Sequence, residues 1–117
     1  MKKLLFFISI ILTLTATAQH KYRSPLDIPL LLSANFGELR PNHFHSGIDL
    51  KTEGAINKSV YSIEDGYVSR ISVSPWGYGL ALYITHTNRQ MSVYGHLNKF
   101  APQIARYVKN KQYELEL

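Results

Sequence analysis

The sequence predicts a mainly β protein: an antiparallel sheet of short strands with one helix on its C-terminal side. Three observations carry that expectation. Between residues 60 and 97, short stretches rich in β-branched and aromatic residues recur at strand length. Glu64-Asp65-Gly66, the Gly/Pro segment 74–79 and Thr87-Asn88-Arg89-Gln90 separate them with turn-forming residues. From Pro102 onward the apolar period lengthens to that of a helix, with Ile104, Tyr107 and Val108 on one face.

In chain order, Lys2-Lys3 precede an apolar run over 4–14 that only Ser9 and Thr13 interrupt, and Ala16-Thr17-Ala18 then offers small residues. This pattern reads as a secretory signal peptide over residues 1–18, cleaved after Ala18. The run is short for a membrane span, although an uncleaved anchor is the alternative. No cysteine follows it to carry a lipid. The expectation is an exported chain, periplasmic or extracellular, with no stable membrane anchor after cleavage. Residues 19–34 form a lead-in in which Pro25 and Pro29 oppose regular structure. Residues 35–117 form one partial domain. Segment 33–42 reads as a short extended piece followed by a loop, and 51–58, with Gly54 and Asn57, as a turn region.

Four strands are expected next. The first is 60–63 and the second 67–73. In the third, 80–86, Leu80, Leu82 and Ile84 share one face and Ala81, Tyr83 and Thr85 the other. In the fourth, 91–97, Met91, Val93 and Gly95 lie opposite Ser92, Tyr94 and His96. Together they suggest an antiparallel meander. The helix spans 102–113, where Pro102 suits the first turn. Glu114-Leu115-Glu116-Leu117 alternates and reads as the start of a further strand, so the sheet is expected to be truncated.

Composition narrows the function classes. The 117 residues include no cysteine, which removes disulfides. A mature chain of about 100 residues without them gains from a metal or from further chain. The net charge of +5 becomes +3 once Lys2 and Lys3 leave with the signal. That balance suits a solvated face or an anionic wall or membrane surface. No Lys/Arg cluster interleaves with aromatics, so nucleic-acid binding has no support.

The chemistry concentrates in Asn42-His43-Phe44-His45-Ser46-Gly47-Ile48-Asp49-Leu50. Imidazole and carboxylate are both zinc ligands. In a flat strand His45 and Asp49 would lie roughly 13 Å apart, too far to share a metal. Ser46, Gly47 and Ile48 make a poor helix. A bent loop running into a strand remains, with Gly47 able to take the angles of the bend. The competing reading is a His and an Asp that cap a turn or face solvent. Tyr94-Gly95-His96-Leu97 adds an imidazole at a strand end, either catalytic or satisfied by solvent or backbone.

The order His-x-Gly-x-Asp, then Asp65-Gly66-Tyr67-Val68, then Trp76-Gly77-Tyr78-Gly79, then Tyr94-Gly95-His96-Leu97 resembles the M23 (lysostaphin/LytM-type) zinc metallopeptidases, which are peptidoglycan endopeptidases. The resemblance runs from about Asn35 to Leu97. It implies the antiparallel β-sheet of the M23 peptidases (the duplicated hybrid motif), with a metal groove on one face. It implies His45 and Asp49 as zinc ligands, His96 as the catalytic histidine beside the attacking water, Zn2+ as cofactor and a peptidoglycan peptide as substrate. The family's third ligand comes from a downstream His-x-His, whereas no His follows His96 here. The expectation is therefore an incomplete chain, inactive alone. His43 and His86 are the internal substitutes, a cleft-lining and a structural residue being their simpler readings. Arg40 and Asn42 either touch substrate or are solvated. Trp76 and Tyr78 either wall a groove for glycan or peptide or cover the sheet. A degenerate M23 domain that binds the wall or activates another hydrolase, and a plain sugar-binding β module, stand as alternatives.

Overall fold

The computed structural model describes residues 21–116; the expected signal peptide lies outside them. They form two antiparallel sheets and one helix. In the smaller sheet β1 (Leu32–Ala34) pairs with β2 (Asp49–Leu50). In the larger, β3 (Gly66–Val73), β4 (Leu80–His86) and β5 (Met91–Leu97) run as a meander. Helix α1 (Pro102–Glu114) follows, with proline in its first turn. The mainly β architecture, the bounds of the last two strands and the helix agree with the residue pattern.

The cross-strand register assigns the faces. Ile71, Leu82 and Tyr94 lie side by side, as do Arg70, Tyr83 and Val93 on the other face. Two irregularities shape the sheet. Val68 pairs with Ile84 but Arg70 with Tyr83, so Ser69 is an extra residue in β3. Leu82 pairs with Tyr94 but Leu80 with Leu97, which places a bulge at Gly95-His96 opposite Ala81. Strict alternation along 91–97 therefore fails at His96. Its φ of 54° is left-handed, a conformation that re-aims the side chain.

Residues 60–63, expected as a strand, are not one. Their backbone bonds instead to the lead-in: Arg23 N–H donates to the Ile63 carbonyl (2.8 Å) and Tyr61 N–H to the Pro25 carbonyl (2.9 Å). Pro25 has no N–H to offer, so the pairing stops after two bonds. The lead-in also contributes Leu26, 5% exposed and, among the described residues, one of the three buried hydrophobic residues with Ala34 and Ala81. The expected strand start at 114–117 is also absent among the described residues. Glu114 completes the helix, and Leu115 N–H donates back to the Lys111 carbonyl at 3.0 Å.

A polar chain ties the larger sheet to the loop before it. His86, 4% exposed, sits with Nδ1 3.1 Å from the Asp65 carbonyl and Nε2 2.8 Å from Ser92 Oγ. Ser92 Oγ lies 2.8 Å from the Tyr94 hydroxyl, which accepts the Ile63 N–H at 3.0 Å. Every member has a partner, as buried polar groups require. Gly66 makes room for this packing: a Cβ there would stand 2.4 Å from the Thr85 carbonyl oxygen and 3.0 Å from His86 Nδ1. Among the described residues no helix is long and apolar enough to cross a membrane.

Candidate metal centre

Segment 34–38 holds both predicted ligands. Ala34 pairs with Asp49 across the small sheet. Gly37 N–H donates to the His45 carbonyl (2.7 Å), and His45 N–H donates to the Glu38 carbonyl (2.8 Å). Between them the chain turns at Pro41-Asn42, closed by Arg40 N–H on the His43 carbonyl at 2.9 Å and by a Leu39–Phe44 bridge. His45 thus sits on a small hairpin and Asp49 at the start of β2, with 46–48 bending between them. Gly47 is not at positive φ; the left-handed glycine here is Gly37, at 77°. The bend needs no glycine angle at Gly47, contrary to expectation.

The two side chains meet. His45 Nε2 lies 3.3 Å from Asp49 Oδ1. His45 Nδ1 lies 2.9 Å from the Asn35 carbonyl oxygen. A carbonyl can only accept, so Nδ1 carries the hydrogen and a neutral ring turns its Nε2 lone pair toward the carboxylate. Two acceptors at this distance repel unless a proton or a metal ion lies between them. Two ligands of one tetrahedral zinc, at bonds of about 2.0–2.2 Å, stand about 3.3–3.5 Å apart. The pair therefore fits two vertices of a zinc site. The Asn35 carbonyl fixes the His45 tautomer in the way an outer partner does for a ligating histidine. The other carboxylate oxygen, Oδ2, lies 3.4 Å from Arg40 Nη2, which is also 3.4 Å from Glu38 Oε2.

The remaining residues fall on either side of this centre. Arg40 faces the Asp49 carboxylate rather than bulk solvent alone. His43 Nδ1 bonds to the Asn42 side chain at 2.7 Å. Among the described residues no group of three or more His, Cys, Asp or Glu side chains is placed to hold one metal, and His43 and His86 join no such group there. His86 serves the sheet. His96 stands on its bulge with its N–H donated to the Tyr78 carbonyl at 2.8 Å. Its ring meets the Tyr78 ring edge-on at 6.2 Å between centroids.

Sequence reasoning missed the Asn35 carbonyl, since any residue type supplies one. It also missed the link between Arg40 and Asp49, which are nine residues apart.

No curated protein and no solved structure gave a significant match. The family model of peptidase family M23 matches residues 43–113. That span is more than half of the chain. It takes in His45, Asp49, the whole three-stranded sheet, His96 and most of α1. The chain belongs to peptidase family M23, and by that membership it is a peptidase.

Proposed function

We propose that this chain supplies part of the active site of a zinc-dependent endopeptidase that cleaves peptide cross-links of bacterial peptidoglycan outside the cytoplasm. The observation that carries the metal reading is the 3.3 Å approach of His45 Nε2 to Asp49 Oδ1, with Nδ1 anchored on Asn35. The substrate reading is supported by the M23 resemblance, and export by the signal-like residues 1–18.

His45 and Asp49 hold the ion. When bound, zinc polarises a peptide carbonyl and activates water at neutral pH. Arg40 occupies Asp49 Oδ2, leaving Oδ1 to the metal. His96 is the imidazole that takes a proton from the attacking water and returns it to the leaving amine. Its ring hydrogen-bonds to no protein group among the described residues, so either ring nitrogen is open for that exchange. The second reading is a non-catalytic module that binds the wall or activates another hydrolase, for which zinc would not be required.

Zinc titration by calorimetry, with muropeptide release from purified sacculi, tests both. Residues 19–117 are expected to bind one zinc weakly through His45 and Asp49 and to release no muropeptides alone. Chelator-sensitive release by this chain would overturn its expected inactivity. No zinc binding at all would favour the non-catalytic module.

A further inference from the structure

Tyr78 physically joins the two parts of the proposed site. It lies in the 74–79 loop at the entrance to β4. Its hydroxyl is 3.2 Å from Ser46 Oγ, on the residue that follows His45. Its ring stands edge-on to the His96 imidazole, with an interplanar angle of 75°. Its carbonyl accepts the His96 N–H. The ring also lies across Gly95, where a Cβ would come within 3.1 Å of Tyr78 Cδ1. One residue therefore touches the ligand loop, the bulge glycine and the imidazole. Trp76, in the same loop, is 80% exposed. The two aromatics are not an equivalent sugar platform, because one is already engaged by the protein.

The bulge makes such a support necessary. A non-glycine residue at φ 54° is strained, and the surrounding structure must over-determine it. An imidazole on an unsupported bulge would sample several rotamers, whereas proton transfer needs it within hydrogen-bond reach of one place.

We propose that Tyr78 is the positioning residue for His96. Its carbonyl holds the His96 backbone on the bulge, its ring packs against the imidazole, and its hydroxyl fixes the bulge relative to the His45 loop. The functional meaning rests on His96 as the proton carrier and on His45 and Asp49 as metal ligands. The positioning itself is testable without either.

The test is nuclear magnetic resonance on the full chain, metal-free and then with Co2+. The variants are Tyr78→Phe, Tyr78→Leu and Gly95→Ala. In the metal-free protein, Tyr78→Leu is expected to shift the His96 ring resonances and abolish their Overhauser contact to residue 78. Tyr78→Phe, which keeps the ring, retains both. Gly95→Ala displaces the His96 signals while leaving Tyr78 intact. His86 resonances stay put in all three, which separates repositioning from general damage to the sheet. With Co2+, the wild type broadens His45 and His96; Tyr78→Leu still broadens His45, but His96 less. Unchanged His96 signals in Tyr78→Leu and Gly95→Ala would overturn the proposal. Failure of Co2+ to broaden His45 in the wild type would remove the metal reading, while the metal-free comparison still decides the role of Tyr78.

Discussion

His86 and His45 are the same side chain in two opposite settings. His86 is buried, and both ring nitrogens meet groups the protein supplies, a carbonyl and a hydroxyl. His45 has one nitrogen on a carbonyl and the other aimed at a carboxylate. The first arrangement is closed: the protein satisfies it alone, and its value is stability. The second is open: in its neutral form it sets acceptor against acceptor and asks for a cation. Burial alone would point to the wrong histidine. Which atoms the ring nitrogens face separates a structural histidine from a ligand.

Asp49→Ala gives the largest expected break in this comparison. It removes a proposed ligand, so zinc affinity should fall by at least the roughly 100-fold that loss of an outer partner can reach. The metal-free melting temperature should hardly move, because the Asp49 side chain is only half-buried and its backbone pairing with Ala34 survives. Calorimetry and thermal melts on one preparation check both halves. An equal loss of stability would make the carboxylate structural.

His86→Leu should do the reverse. It takes the only imidazole out of the polar chain and deprives the Asp65 carbonyl and the Ser92 hydroxyl of one partner each, for a loss of about 2–3 kcal/mol by urea unfolding. Zinc affinity should be unchanged in the folded fraction. Weaker binding there would show that the two histidines are coupled.

Arg40→Gln sharpens the open side. Releasing Asp49 Oδ2 from the guanidinium should lower zinc affinity about tenfold, the low end for an outer partner, read by competition with a chromophoric chelator. Tyr94→Phe probes the closed side most gently. The Ile63 N–H and the Ser92 hydroxyl lose a partner, for about 1 kcal/mol in the same unfolding assay.

Much of this was legible along the chain. The last two strands of the meander lie where alternation and turn residues put them, because side-chain periodicity is a local property. The helix follows from its apolar stripe and its proline. The loop geometry of His45 and Asp49 was reachable by elimination, since neither a flat strand nor a helix serves them. The failures are equally physical. Residues 60–63 have strand composition, but the Pro25 opposite them cannot continue a ladder. Glu114 and Leu115 alternate with their neighbours, yet the preceding turn captures the Leu115 N–H. His96 was assigned by alternation to a face that the bulge at Gly95-His96 abolishes, because a bulge depends on how two strands meet.

The sequence by itself determined the last two strands, the helix, the family and which two side chains are proposed as ligands, since strand period, turn chemistry and motif order are written in consecutive residues. Tertiary structure alone decided which carbonyl fixes the His45 tautomer, that Arg40 turns toward Asp49, that His86 is sealed among partners and that Tyr78 bridges the ligand loop and the His96 bulge. Each of those depends on atoms from residues distant along the chain coming within hydrogen-bond or van der Waals reach. Such distances are set by packing and register, and no spacing along one chain encodes them directly.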